Sequence, residues 1–552
     1  MRLYILGSLV PLACAAIFDR RAANPTVTIP LATVVGSTSN SVDTFLGIPY
    51  AQPPVGSLRL RKSLAANKTL GLFRATTTPR SCPQFSLDTS TPFENLLGLI
   101  VNLPLFQSLS NSGEDCLTIN VQRPSGLAMT AKLPVMVWIY GGAYNSGSTQ
   151  GQDGADLVRS AVNQSQPMIF VQFNYRLNGF GFLPGQEMLA EGNTNLGLRD
   201  QRLALQWVAD NIAAFGGDPA RVTIWGESAG STSVFNQLIA YGGDNTYNGK
   251  PLFRGAIMDS GSMTPIQDTN STKPQSIFNQ VVKNAGCSGK ADTVNCLRDL
   301  SYTSFLNAVT SVPGTYGQAD ESYRPRVDFD TIPFSSETAV QNGKFAKVPF
   351  IVGDQEDEGT LQAIFLFNIA TPTAIANLLR NNYYTQASTS IVQQVVDSYS
   401  VNPADGSPFR TGNDYQLYTQ YKLNAAVVGD LNIRLLRRAF LNLVGSTVPT
   451  WSYVGTYGYR SSFLGTNHAS DLAYAFGTST GFPRTAIQSY YISFVNTLSP
   501  NNGKNSTLVT WNNWVEGKQL LNISSTATSL VNDDFRGSSY SAYVANLASF
   551  RI

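Results

Sequence analysis

Arg221-Val222-Thr223-Ile224-Trp225-Gly226-Glu227-Ser228-Ala229-Gly230 is a short apolar run that ends in a G-x-S-x-G pentapeptide. Val222 to Trp225 reads as a buried strand, and Ala229 to Ala240 reads as a helix that starts on small residues. A strand that turns sharply into a helix around a serine is the setting of a nucleophile elbow, in which a strained turn holds the hydroxyl exposed. The two glycines let neighbouring backbone pass close to that turn. An ordinary strand-to-helix turn is the competing reading, and the rest of the chain has to decide between them.

The 552-residue chain contains one histidine, His468. A seryl nucleophile needs a base to take its proton, so if Ser228 reacts, His468 is that base. In the α/β-hydrolase fold the acid of the triad falls between serine and histidine in chain order. The apolar strand beginning at Val348 runs into Asp354-Gln355-Glu356-Asp357-Glu358-Gly359, and loops at the carboxyl ends of strands collect such residues. Spacing does not separate Asp354, Glu356, Asp357 and Glu358, and a solvated acidic loop is the plain alternative. Tyr140-Gly141-Gly142-Ala143-Tyr144 follows the strand Val135 to Ile139 and can present two backbone N–H groups beside that of Ala229. For the glycine pair a flexible turn is the plain reading.

Apolar runs at Val135 to Tyr140, Met168 to Phe173, Val222 to Trp225, Ala256 to Met258 and Pro349 to Val352 read as strands buried on both faces. Helical patterns lie between them, such as Leu205, Val208 and Ile212 before a stop at Gly216-Gly217. This alternation predicts an α/β fold with a mostly parallel central sheet covered on both sides. Residues 17–552 show no internal repeat, linker or low-complexity tract, which predicts one domain with long loop insertions.

Apolar residues make up 43% and charged residues 13% of the chain, enough for a large core and too few charges for disorder. A net charge of +2, with no basic run interleaved with aromatics, speaks against nucleic acid as a partner. Met1-Arg2, the apolar stretch Leu3 to Ala16 and the pattern Ala13-Cys14-Ala15 read residues 1–16 as a signal peptide. That stretch is short for a membrane span, and no other segment is long and apolar enough, so a soluble secreted protein is expected. Arg20-Arg21 reads as a solvated charge pair or a dibasic processing site. Removing the leader leaves Cys82, Cys116, Cys287 and Cys296, which allow three connectivities. Sequence proximity favours Cys82 with Cys116 and Cys287 with Cys296, each bridge contributing roughly 3 kcal/mol on the chain-entropy account. Sequons at Asn67, Asn163, Asn270, Asn505 and Asn522 agree with a secretory route.

Several segments, in register, carry a resemblance. They are Gly47-Ile48-Pro49-Tyr50-Ala51-Gln52-Pro53-Pro54, Glu114-Asp115-Cys116-Leu117-Thr118-Ile119-Asn120-Val121, Gln206-Trp207-Val208 through Phe215-Gly216-Gly217-Asp218-Pro219, the Ser228 pentapeptide, Gly353 to Thr360, and Gly465-Thr466-Asn467-His468. The chain resembles the type-B carboxylesterases, most closely their fungal branch of secreted lipases and sterol esterases. The resemblance implies Glu358 as the acid, Gly142, Ala143 and Ala229 as the oxyanion hole, and the same two disulfides. It implies a secreted serine ester hydrolase, without metal or cofactor, acting on acylglycerols and on sterol or other long-chain esters. It also implies a mobile lid in the Cys82 to Cys116 loop, where Phe93, Leu96, Leu97, Ile100 and Val101 recur at helical spacing and Leu103, Leu105 and Phe106 extend the apolar face. Such a lid would meet a lipid–water interface when open, and a core helix is the plain alternative. Relatives usually carry a third glycine where this chain has Ala143, whose methyl group bears on bulky alcohol portions. The alternatives are a carboxylesterase for soluble short-chain or specialised esters, and a recognition protein that has lost catalysis. Nothing in the sequence separates monomer from dimer.

Overall fold

The computed structural model describes residues 24–84, 111–312 and 322–552. The expected leader and the 93–106 segment lie outside the described residues. Among these residues eleven strands form one sheet. In chain order they are β1 (Ser37–Ser39), β2 (Val42–Pro49), β3 (Thr118–Pro124), β4 (Leu133–Ile139), β5 (Ile169–Phe173), β6 (Gly217–Glu227), β7 (Gly255–Asp259), β8 (Phe350–Gln355), β9 (Thr450–Gly455), β10 (Gln519–Ile523) and β11 (Thr528–Asn532). They lie side by side as β11-β10-β9-β8-β7-β6-β4-β5-β3-β2-β1. The stretch from β5 through β10 is parallel, with antiparallel strands at both edges. A separate three-stranded sheet joins Thr26–Ile29, Ala32–Val35 and Gly71–Arg74.

Every residue of β5, β7, β8 and β9 is buried, which is why these strands read as continuous apolar runs rather than alternating ones. Aromatic residues show what covers each face. Trp138 and Trp225, partners in the β4–β6 register, have rings 4.2 Å apart and pack against Phe476 and Tyr491, the latter on helix Phe482–Thr497. On the other face Phe350 stacks on Phe440 of helix Leu435–Val444, which also meets Phe235 of helix Ala229–Ile239. Helix Leu196–Asn211 continues into a 3₁₀ turn over Ile212–Phe215 and stops at Gly216, whose φ is +87°, a left-handed conformation that glycine adopts without strain.

Cys82 is bonded to Cys116, and Cys287 to Cys296. Asn67, Asn163, Asn270 and Asn505 are exposed. Asn522 is half-buried on β10, where its side chain accepts a hydrogen bond from Thr456 and donates one to Ser529. The solvated-loop alternative for the acidic run is incorrect: β8 extends through Gln355, and Asp354, Asp357 and Glu358 are all buried.

Candidate active site

β6 ends at Glu227 and helix Ala229–Ile239 begins two residues later, leaving Ser228 alone in the turn with φ +56° and ψ −125°. A non-glycine residue in that region carries strain of about 1–3 kcal/mol, so the surrounding packing has to impose it. Gly226 and Gly230 show how. A Cβ on Gly226 would overlap the backbone of Gly230, and a Cβ on Gly230 would overlap the carbonyl oxygen of Ile139 at the end of β4. The Ser228 N–H donates to the Asp259 carbonyl at 2.9 Å, which ties the turn to β7.

His468 arrives from a loop after β9. Its Nε2 lies 2.8 Å from Ser228 Oγ, and its Nδ1 lies 2.6 Å from Glu358 Oε2. A carboxylate can only accept. Nδ1 therefore carries the hydrogen and donates it to Glu358, leaving the Nε2 lone pair free to accept from the seryl hydroxyl. The other carboxylate oxygen of Glu358 accepts from the Gln355 N–H at 2.6 Å, so the acid is held from both sides.

The four acidic residues of the run have four different partners. Asp354 accepts from Arg437 Nε at 2.7 Å. Glu356 is paired with the half-exposed guanidinium of Arg410. Asp357 accepts from Ser407 Oγ at 2.9 Å, Phe409 N–H at 2.8 Å and Thr466 N–H at 2.9 Å. Its own N–H donates to the Thr466 carbonyl at 3.0 Å. These bonds clamp the histidine loop onto the acid loop one residue before Glu358 and two before His468. Glu358 alone of the four meets the imidazole.

Glu227 precedes the serine and was not singled out in the sequence. It is fully buried, neither carboxylate oxygen has a hydrogen-bond partner among the described residues, and Oε1 lies 3.3 Å from His468 Nε2. Burial, with repulsion from Glu358 and Asp259, pushes its carboxyl up to about 8 despite attraction to the imidazole. Burial opposes charging of His468, but the carboxylates of Glu227 and Glu358 outweigh it and raise the imidazole to about 9. Each of the two groups therefore favours the charge state that the other compensates.

Gly142 and Ala143 follow β4 with φ of +100° and +53°. Ala143, Ala229, Ser228 and His468 line one solvent-open cleft, whose walls include Leu431, Ile433, Leu436, Tyr383 and Phe550. Among the described residues no backbone acceptor is paired with the N–H of Gly142, Ala143 or Ala229. Donors left without a backbone acceptor near a serine can receive an oxygen that gains charge there.

The sequence profile of the Carboxylesterase family matches residues 23–541. The chain is 48% identical to "Secreted lipase 1" of Botryotinia fuckeliana over 545 residues, covering 97% of this chain and 95% of that protein. It is 46% identical to "Secreted triacylglycerol lipase LIP1" of Gibberella zeae, covering 96% and 91% of the two chains. The crystal structure of Aspergillus niger EstA superimposes with a TM-score of 0.79 at 28% identity, covering 96% of this chain and 99% of that one. The profile match, the identities along nearly the whole chain and the superposition agree, and the chain belongs to the carboxylesterase family.

Proposed function

We propose that the protein is a secreted serine hydrolase that cleaves the carboxylic esters of acylglycerols through an acyl-enzyme on Ser228. The observation that carries this reading is the hydrogen-bonded chain from Ser228 through His468 to Glu358 at the foot of the cleft. Ser228 Oγ attacks the ester carbonyl carbon as its proton passes to His468 Nε2. The carbonyl oxygen becomes an oxyanion held by the N–H groups of Gly142, Ala143 and Ala229, each donor contributing roughly 3 kcal/mol. As the tetrahedral species collapses, the C–O bond to the alcohol breaks and His468 returns the proton to the leaving oxygen. Water then repeats the sequence on the acyl-enzyme and releases the acid. Glu358 fixes the tautomer and stabilises the imidazolium that forms twice per cycle.

Acylglycerols are the favoured substrates because the proteins named secreted lipase and secreted triacylglycerol lipase align along nearly the whole chain. Their names also support the secretory route, and among the described residues no helix is long and apolar enough to cross a membrane. In this reading residues 1–16 are a cleaved leader and residues 17–552 form one α/β-hydrolase domain. The exposed sequons at Asn67, Asn163, Asn270 and Asn505 take glycans, and the 93–106 segment is a lid that meets the lipid–water interface. The test is a rate profile on triacylglycerols of increasing chain length, below and above the concentration at which each aggregates. Rates should climb steeply once aggregates form. Equal or falling rates there, with fast turnover of dissolved short-chain esters, would favour the soluble-ester reading.

A further inference from the structure

Helix Ala229–Ile239 starts at the nucleophile, and one of its faces continues into the cleft. Ser228, Thr232 and Asn236 follow one another at intervals of four residues, the spacing that stacks side chains on one side of a helix. All three line the cleft, as does Ser260 from the loop after β7. At a helical rise of about 1.5 Å per residue, Asn236 stands about 12 Å along the axis from Ser228. Ile266, Leu431, Ile433, Leu436 and Phe550 supply apolar walls beside it. A polar stripe therefore runs from the nucleophile along apolar surface.

The protein itself does not satisfy this stripe. Asn236 is only 2% exposed, and its Oδ1 has no hydrogen-bond partner among the described residues. Ser260 is buried at φ +52°, and its Oγ also lacks a partner there. Thr232 is half-buried, and its hydroxyl makes no hydrogen bond to a described residue. Burying an amide without a partner is costly. Asparagine is also a poor choice inside a helix, because its side chain competes for backbone groups. Leucine would remove both penalties. A partner that arrives with the substrate accounts for the asparagine, since its amide offers an acceptor and two donors and meets a hydroxyl in either role. His468 hands its proton to the leaving alcohol, which therefore lies beside the imidazole. The part of the ester that extends along the helix is then the acyl chain.

We propose that this stripe selects the acyl group: the cleft takes aliphatic acids that carry a hydroxyl several carbons from the ester, with Asn236 as the partner of that hydroxyl. The inference rests on the ester-hydrolase reading and narrows its substrates.

Two nitrophenyl esters, of ω-hydroxydecanoic acid and of undecanoic acid, test it below their aggregation concentrations. They differ only in a terminal hydroxyl in place of a methyl group, and an extended chain of this length reaches about as far as Asn236. The parent protein should favour the hydroxylated ester in kcat/KM by about tenfold or more, because a site built to bond a hydroxyl rejects the analogue that lacks it. Asn236→Leu should reverse that order, slowing the hydroxylated ester and speeding the undecanoate. The comparison in the parent needs no variant, so it stands even should Asn236→Leu fail to fold. A parent that favours undecanoate, or an unchanged preference in folded Asn236→Leu, would overturn the proposal. Hydrolysis of both esters without preference would overturn it and leave the hydrolase reading standing, whereas hydrolysis of neither would overturn both.

Discussion

The serine and its two partners reach the same point by opposite means. Ser228 is held by backbone packed against backbone: Gly226 and Gly230 leave no room for a methyl group, and β4, β6 and β7 surround the turn. Glu358 and His468 sit on loops 110 residues apart, joined by side-chain hydrogen bonds centred on Asp357. The first arrangement is rigid because it is short and local. The second depends on individual polar groups, so it should yield to single substitutions that leave the fold standing.

Among substitutions that leave both the serine and the imidazole in place, the largest effect should follow from Glu358→Gln. A neutral amide can present its N–H to Nδ1 and favour the wrong tautomer, so turnover should fall about 10⁴-fold. Glu356→Gln, which alters only a half-exposed ion pair with Arg410, should stay within a few-fold of the parent. Equal losses in the two variants, both folded, would mean that the acid has been misassigned.

Asp357→Asn comes next. One oxygen becomes an NH₂ facing an N–H donor, so the clamp on the histidine loop loosens while Glu358 and His468 remain. A misplacement near 1 Å costs about a hundredfold in rate. The loss should appear in kcat with little change in KM, and a KM effect alone would put Asp357 outside the positioning of His468.

Glu227→Gln probes the elbow side electrostatically. His468 must be neutral to accept the seryl proton, and nearby carboxylates raise its pKa to about 9, so kcat/KM should increase as pH rises through the range below that value. Removing one of those carboxylates lowers the imidazole pKa, and the rising limb should move to lower pH. A limb that stays in place would remove Glu227 from the account.

Ala143→Gly should give the smallest effect. Ala143 already has φ +53°, a conformation glycine adopts without strain, and its N–H survives the change. Rates on bulky-alcohol esters should rise a few-fold, about 1 kcal/mol of relief, relative to methyl esters of the same acid. No change in that ratio would place the methyl group away from the alcohol side.

This asymmetry also explains what could be read from the chain. The elbow was legible because strand, serine and glycines are adjacent in sequence, and the parallel strands because burial on both faces leaves continuous apolar runs. The acidic run was not legible in detail. Its partners Ser407, Phe409, Arg410 and Arg437 lie some fifty to eighty residues further on, and spacing carries no trace of them. Glu358 could be chosen only through resemblance to a family. Glu227 was quoted within the motif, but its burial against the imidazole depends on the helix–strand turn that follows. The antiparallel edge strands Ser37–Ser39 and Val42–Pro49 mix polar and apolar residues and give no strong period.

The central claim is that Ser228 is activated by the chain's single imidazole. It is tested most directly by the rate of covalent labelling at Ser228 by an organophosphate in the parent protein and in folded His468→Ala. The account predicts rapid stoichiometric labelling of Ser228 in the parent and a loss of several orders of magnitude in the variant, in line with the roughly million-fold cost of losing a triad base. Labelling of His468→Ala within tenfold of the parent rate, or a label on any residue other than Ser228, would contradict it.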